Sequence, residues 1–215
     1  DTLPYWSPDG TQLVFTSYRT GNGDLYLMKA DGTTLRQFTT DGAEDTYPMW
    51  SPDGTQLLWV RLYPVIENRP QEGELWLANA DGSNPHPLTG RLITPARVLI
   101  SPDGAHIAFD ADFNQDGFPD IVLMDRDGGN MTLLVPGHES RHLWMGTWDT
   151  DSLSLWTTKF VYHTNADDTR DLDYTIFSQV CLNAPLDCEN YFPPIDPTEM
   201  LPDRQLADLL VPVSH

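Results

Sequence analysis

The residues best suited to chemistry lie in one acid-rich stretch, Asp110-Ala111-Asp112-Phe113-Asn114-Gln115-Asp116-Gly117-Phe118-Pro119-Asp120. From Asp112 it reads D-x-N-x-D-G-x-x-D. Oxygen side chains at alternate positions, a glycine for a sharp turn and a further acid four residues on are what a calcium loop needs. Hard Ca²⁺ takes roughly six to eight oxygens from a chain folded tightly around it. The expected ligands are the side chains of Asp112, Asn114, Asp116 and Asp120 and the backbone carbonyl of Phe118, with Ca2+ in a structural rather than a catalytic role. Leu123 stands where an EF-hand has its bidentate glutamate, so this is not an EF-hand. A plainer reading stands beside it. Gly21-Asn22-Gly23-Asp24 holds the same place in an earlier repeat, so Asp116-Gly117 and Asp120 also fit simple turn residues. A second acid-rich run, Asn165 to Asp173, is irregularly spaced and reads as a solvated loop.

Other chemistry is thin. Of the six histidines only His138 and His142 stand at HxxxH spacing, no Gly-x-Ser-x-Gly elbow occurs, and no glycine loop of the phosphate-binding kind is present. No catalytic residues are expected. Cys181 and Cys188 lie close together in a Pro- and Asn-rich stretch, which suits a local disulfide in an oxidising compartment. The expected location is therefore extracytoplasmic: periplasmic, cell surface or secreted. The 32 acidic against 12 basic residues give a net charge of −20, a surface that repels nucleic acid and anionic lipid. No apolar run reaches the roughly 18 residues that a membrane span needs. A start at Asp1, without a signal segment, is expected of a processed or cropped chain.

The elements that position these residues announce themselves by repetition. Ser-Pro-Asp-Gly occurs at Ser7–Gly10, Ser51–Gly54 and Ser101–Gly104, at spacings of 44 and 50 residues, the signature of a repeat architecture. Serine first, proline second with its φ preset, and glycine fourth is the preference of a type I turn. Asp1 to Leu13 matches Asp45 to Leu57 at every place but the third and fifth. Each turn precedes an alternating strand (Leu13-Val14-Phe15, Leu57-Leu58-Trp59, Ile107-Ala108-Phe109). A second apolar strand follows, then an Asp-Gly hairpin turn at Asp31-Gly32, Asp81-Gly82 or Asp127-Gly128, then a short closing strand. With the strand before Ser-Pro-Asp-Gly, each unit supplies four antiparallel strands, the composition of a propeller blade.

The fold class expected is all-β: a β-propeller of four-stranded blades at about 1–44, 45–92, 93–137 and a degenerate 138–180. In the last, Trp148-Asp149-Thr150-Asp151 replaces the corner motif. Residues 181–215 read as a Pro-rich tail, with a short helix expected at Asp203–Leu210. Trp6, Trp50, Trp59 and Trp76 recur at repeat-equivalent places and read as blade core.

The recurring Trp-Ser-Pro-Asp-Gly, Gly-Asn-Gly-Asp-Leu-Tyr-Leu-Met, Ala-Asp-Gly and Leu-Thr segments resemble the WD40-like PD40 β-propeller repeat. That repeat builds the propeller of the periplasmic protein TolB and the propellers of prolyl oligopeptidase-like and tricorn-type peptidases. The resemblance covers residues 1–135 well and 141–180 weakly. The loop from Asp112 resembles those of integrin-type propellers. TolB-like propellers are expected to have about six blades, so three outcomes stay open: a compact four-bladed closure, completion by sequence upstream, or cover by another chain. The function expected is a non-catalytic, exported protein-binding or assembly module with protein partners or self-assembly. The alternatives are a sensor or gating propeller of a larger peptidase or other hydrolase whose catalytic domain lies outside this chain, and a propeller lyase acting on glycans.

Overall fold

In the computed structural model, which describes residues 1–67, 69–138, 141–150, 154–164 and 170–182, every recurrent corner closes on itself. The Ser7 carbonyl accepts the Gly10 N–H at 2.8 Å. The Ser7 hydroxyl donates to Asp9 Oδ1 (2.6 Å) and accepts the Gln12 N–H (2.9 Å). Asp9 also accepts the Thr11 N–H (3.0 Å). The same bonds recur around Ser51-Asp53 and Ser101-Asp103. Gly10, Gly54 and Gly104 sit at φ 68, 71 and 72°, a region costly for any side chain with a Cβ. Serine, aspartate and glycine are thus each needed by the corner itself.

The corners join strands into antiparallel sheets in chain order. The first sheet is β1 (Thr2–Trp6), β2 (Gln12–Ser17), β3 (Asp24–Lys29) and β4 (Arg36–Gln37). The second is β5 (Glu44–Trp50), β6 (Gln56–Leu62), β7 (Glu72–Asn79) and β8 (His86–Pro87), and the third β9 (Leu92–Ile100), β10 (His106–Asp112), β11 (Asp120–Asp125) and β12 (Thr132–Val135). The Asp-Gly corners are not two-residue turns. Gly32 N–H bonds the Lys29 carbonyl (2.9 Å) and Lys29 N–H the Thr33 carbonyl (2.9 Å). With positive φ at Gly32 and not at Asp31, this is a turn closed by a glycine bulge.

The second and third sheets are continuous, because the start of β9 pairs with the start of β7 (Leu92 opposite Gly73, Ile93 opposite Glu72). A Cβ on Gly73 would stand 2.7 Å from the Arg61 carbonyl and 2.8 Å from Pro95 Cγ, so only glycine fits at this seam. The fourth unit departs from the expected four strands. Among the described residues it has three: β13 (Arg141–Trp148), β14 (Ser154–Thr164) and β15 (Arg170–Cys181). Its altered corner keeps the Asp149 N–H to Ser154 carbonyl bond at 2.9 Å, the counterpart of Ser7 N–H to the Gln12 carbonyl.

The core lies between sheets rather than within one. Along each strand alternate side chains form a leading face, turned to the preceding sheet, and a trailing face, turned to the next. Trp50 and Leu57 on the leading face of the second sheet pack against Val14 and Leu27 of the first, and Trp59 and Ala78 against Leu25. Ile107 and Phe109 of the third sheet pack on Leu58, Val60, Leu75 and Leu77 of the second. Met145, Trp148 and Leu155 pack on Ala108 and Ile121 of the third. The corners stack as well: Pro8 Cδ lies 3.7 Å from the place of a Cβ on Gly54, and Pro52 Cδ 3.8 Å from that on Gly104. This is an all-β, partial β-propeller whose sheets do not close into a ring. Trp50 and Trp59 are core as expected and Trp76 is half-buried, but Trp6 is 55% exposed. It stands on the leading face of the first sheet, where no described sheet precedes it.

Candidate functional site

The first strands of all four sheets lie side by side, β1 beside β5, β5 beside β9 and β9 beside β13. Each carries a bulge at the same point of its pairing, between Thr2 and Tyr5, Thr46 and Met49, Ala96 and Val98, and Met145 and Trp148. Leu3, Tyr47 and Arg97, which are repeat-equivalent, take positive φ of 52, 51 and 27°. A bulge turns its strand and re-aims its side chains. Here they bound an open cleft of about 240 Å³, lined by Leu3, Pro4, Tyr5, Tyr47, Pro48, Met49, Arg97, Val98, Leu99, Met145 and Gly146. Leu3 and Tyr5 are 41 and 43% exposed. The walls are apolar and, among the described residues, the one charged lining residue is Arg97, whose Nη1 donates to the Met145 carbonyl at 3.0 Å. Among the described residues no carboxylate pair or nucleophile–base pair lines the cleft. Its chemistry is that of apolar contact around a fixed guanidinium.

Asp110, one strand away, is 9% exposed. Burial pushes its carboxyl up to about 7, against the pull of the Arg97 charge. In the second sheet Asp45 is wholly buried and accepts from Trp59 Nε1 (2.9 Å), Arg61 Nε (2.8 Å) and Arg61 Nη2 (3.0 Å). Arg61 also reaches Asp41 at 2.5 Å and lies over the Trp76 ring, 4.0 Å from its centre. Burial pushes the Asp45 carboxyl up and the Arg61 pair offsets it only in part.

The acidic loop links β10 to β11. Asp112 Oδ1 accepts the Asp116 N–H (3.0 Å) and its Oδ2 the Gly117 N–H (3.1 Å). Asn114 Oδ1 accepts the Asp116 N–H (3.0 Å), and Asn114 Nδ2 donates to Asp116 Oδ2 (2.9 Å). Asp116 Oδ1 accepts the Phe118 N–H at 3.0 Å. Asp120, fully buried, accepts Phe113 N–H (2.9 Å), Asn114 N–H (3.1 Å) and Gly137 N–H (2.7 Å). The loop brings Asp112, Asn114 and Asp116 together and turns Asp120 toward backbone donors. Asp24, at the equivalent strand start, is likewise buried and accepts from Thr20 Oγ1 (2.5 Å) and Gln37 Nε2 (3.0 Å). Carboxylate and amide oxygens hold further lone pairs, so Asp112, Asn114 and Asp116 keep acceptor capacity beyond the bonds within the loop. Among the described residues no group of three or more His, Cys, Asp or Glu converges as a metal centre. Cys181 ends β15 and is buried. Cys188, Asn165 to Thr169 of the second acidic run and the expected helix at Asp203–Leu210 lie outside the described residues. No helix among the described residues is long and apolar enough to cross a membrane.

Sequence reasoning missed the cleft, although a signal was present. Within otherwise matching repeats the differing third and fifth places are Leu3 and Tyr5 against Tyr47 and Met49, and all four line the cleft.

Residues 2–142 match the family described as the TolB beta propeller domain, PD40. Among solved structures, a putative TolB from Agrobacterium tumefaciens is 23% identical at a TM-score of 0.55, over 71% of this chain and 56% of that one. TolB from Acinetobacter baumannii is 16% identical at 0.58, over 90 and 56%. The acylaminoacyl peptidase of Pyrococcus horikoshii is 15% identical at 0.53, over 74% of this chain and 26% of that one. These likenesses carry the fold. The chain spans little more than half the length of the TolB structures it matches.

Proposed function

The chain belongs to the PD40 family of TolB β-propeller domains, and from that premise we propose that it is a non-catalytic protein-binding or assembly module acting outside the cytoplasm. One observation carries the reading: over the thirteen residues in which the first two repeats otherwise match, both places that vary line the cleft at the convergent first strands. A repeat holds constant what its sheet needs and varies what its surface must recognise. The apolar walls and Arg97 suit an extended segment of a partner that offers an apolar side chain beside an acceptor. A displayed peptide library selected on the intact chain tests it. Selected peptides should bind Met49→Glu and Arg97→Ala at least tenfold more weakly, whereas peptides indifferent to both would remove the cleft from the function.

The similarity to acylaminoacyl peptidase, a chain about four times the matched length, favours a second reading. There the propeller gates a catalytic domain outside these residues, and an α/β-hydrolase domain in the intact gene would establish it.

The acidic loop we assign to calcium bracing of the third sheet, supported by the D-x-N-x-D-G spacing and the clustering of Asp112, Asn114 and Asp116. Asp116→Ala should lower the melting temperature in calcium and leave it unchanged in chelator. Equal loss in both would make the loop a turn alone.

A further inference from the structure

We propose that this chain assembles with copies of itself, the β6–β7 loop of one copy entering the cleft at the first strands of the next. The assembly rests on the cleft being a recognition site, as proposed above, and gives that site its occupant. The loop runs over nine residues (63–71), where its counterparts take six (18–23) and seven (113–119). Its neck is braced. The Tyr63 N–H bonds the Glu72 carbonyl at 2.9 Å, and Gln71 Nε2 donates to the Tyr63 carbonyl. Arg91 lies over the Tyr63 ring, 4.2 Å from its centre, and pairs with Glu72 at 2.7 Å. Beyond the neck the Arg69 N–H closes a turn on the Ile66 carbonyl at 3.0 Å. Pro64 and Pro70 flank the tip, each with its φ preset. A loop braced and stiffened in this way loses little freedom on docking.

What the tip carries matches what the cleft can hold. Val65 is 71% and Ile66 54% exposed, two adjacent branched aliphatic side chains followed at once by exposed Glu67. Among the described residues Val65 is the most exposed large apolar side chain, and such a pair on a braced tip marks a contact surface. The cleft offers apolar walls around a single cation, Arg97. Val65 and Ile66 suit walls such as Leu3, Tyr5 and Met49, and Glu67 supplies a carboxylate for the guanidinium. Neither counterpart loop brings this set: one centres on Gly21-Asn22-Gly23 and the other on Asn114-Gln115-Asp116-Gly117. No residue of the loop lines the cleft of its own chain, so the contact joins two copies. Loop and cleft are different surfaces, which makes the contact heterologous and lets it pass from copy to copy. Copies of net charge −20 repel one another, so the contact forms at moderate ionic strength, where charges beyond about 8 Å are screened.

Sedimentation velocity on the whole chain, in about 150 mM monovalent salt, reads the assembly. The weight-average mass should climb with concentration past that of a dimer. Ile66→Glu at the tip and Tyr5→Glu in the cleft both replace exposed side chains, and each alone should weaken association at least tenfold. Ile66→Glu keeps an intact cleft and Tyr5→Glu an intact loop, so the two mixed should form a pair that stops at two copies. Glu67→Lys should also weaken association, although it lowers the net negative charge and with it the general repulsion. A chain that stays monomeric at every concentration overturns the proposal. So does association indifferent to Ile66→Glu, strengthened by Glu67→Lys, or not restored as a pair by the mixture. The displayed peptides separate this outcome from that of the cleft itself. Peptides that bind the cleft of a monomeric chain remove self-assembly alone, whereas a cleft that takes neither peptide nor second copy removes both.

Discussion

At the scale of single residues, the buried Asp110 has the clearest consequence. A carboxyl whose folded pKa is raised binds its proton more tightly in the native state than in the unfolded chain. Its stabilising contribution is therefore complete below the ordinary carboxylate range near 4 and is lost as pH rises through about 7. Asp110→Asn should raise the melting temperature by roughly 5 °C at pH 8, for a gain on the order of 2 kcal/mol, and leave it unchanged at pH 4. A rise of equal size at both values would mean packing rather than ionisation. The corner aspartates work in the other direction. The Ser51 hydroxyl, the Thr55 N–H and the Arg126 guanidinium hold the Asp53 carboxyl below the usual range, so its contribution is present above about pH 4 and is lost on acidification below that. None of this was legible at Asp110, which stands in the register of Thr16 and Val60. At the corners it was legible, because Ser, Asp and Gly bond within six consecutive residues.

At the scale of elements, the seam between β7 and β9 rests on the missing side chain of Gly73. Gly73→Ala would press a methyl into the Arg61 carbonyl and Pro95, costing about 1–3 kcal/mol. Hydrogen exchange should quicken at Leu92 and Ile93 while the amides of β2 and β3 keep their protection. Unaltered exchange at the seam would show that the pairing there is incidental. Strand order and the three Ser-Pro-Asp-Gly corners could be read from sequence because they depend on local turn chemistry and period-two alternation. The seam could not, since it joins residues about twenty positions apart through an absence. Trp6 was misread for a related reason. Equivalence within a repeat transfers a residue's neighbours only where the neighbouring sheet is present, and among the described residues no sheet stands on the leading side of the first. The acidic loop was legible as a pattern, yet the pattern did not reveal that Asp120 faces the backbone donors of Phe113, Asn114 and Gly137.

At the scale of the whole molecule, 32 acidic side chains against 12 basic ones make charge a global term. Their mutual repulsion opposes compaction and is screened within about 10 Å at 0.1 M salt. Raising ionic strength from about 10 mM to about 150 mM should therefore raise the melting temperature by roughly 3 °C in monovalent salt, and a flat response would mean that the acids are locally compensated. The four first strands, each kinked at the same point, meet around one cleft, so their relative placement depends on how the sheets stack. The seam at Gly73 makes that stacking uneven. Two backbone-paired positions weld the middle two sheets into one body, whereas side chains and one backbone bond outside the ladders, Asp45 N–H to the Gly23 carbonyl at 2.6 Å, hold the first sheet to it. Under a pull applied to the two ends of the chain, the first sheet would peel away in an early, separate rip. The welded pair would yield later and in a single larger step, giving this short array a built-in order of mechanical failure.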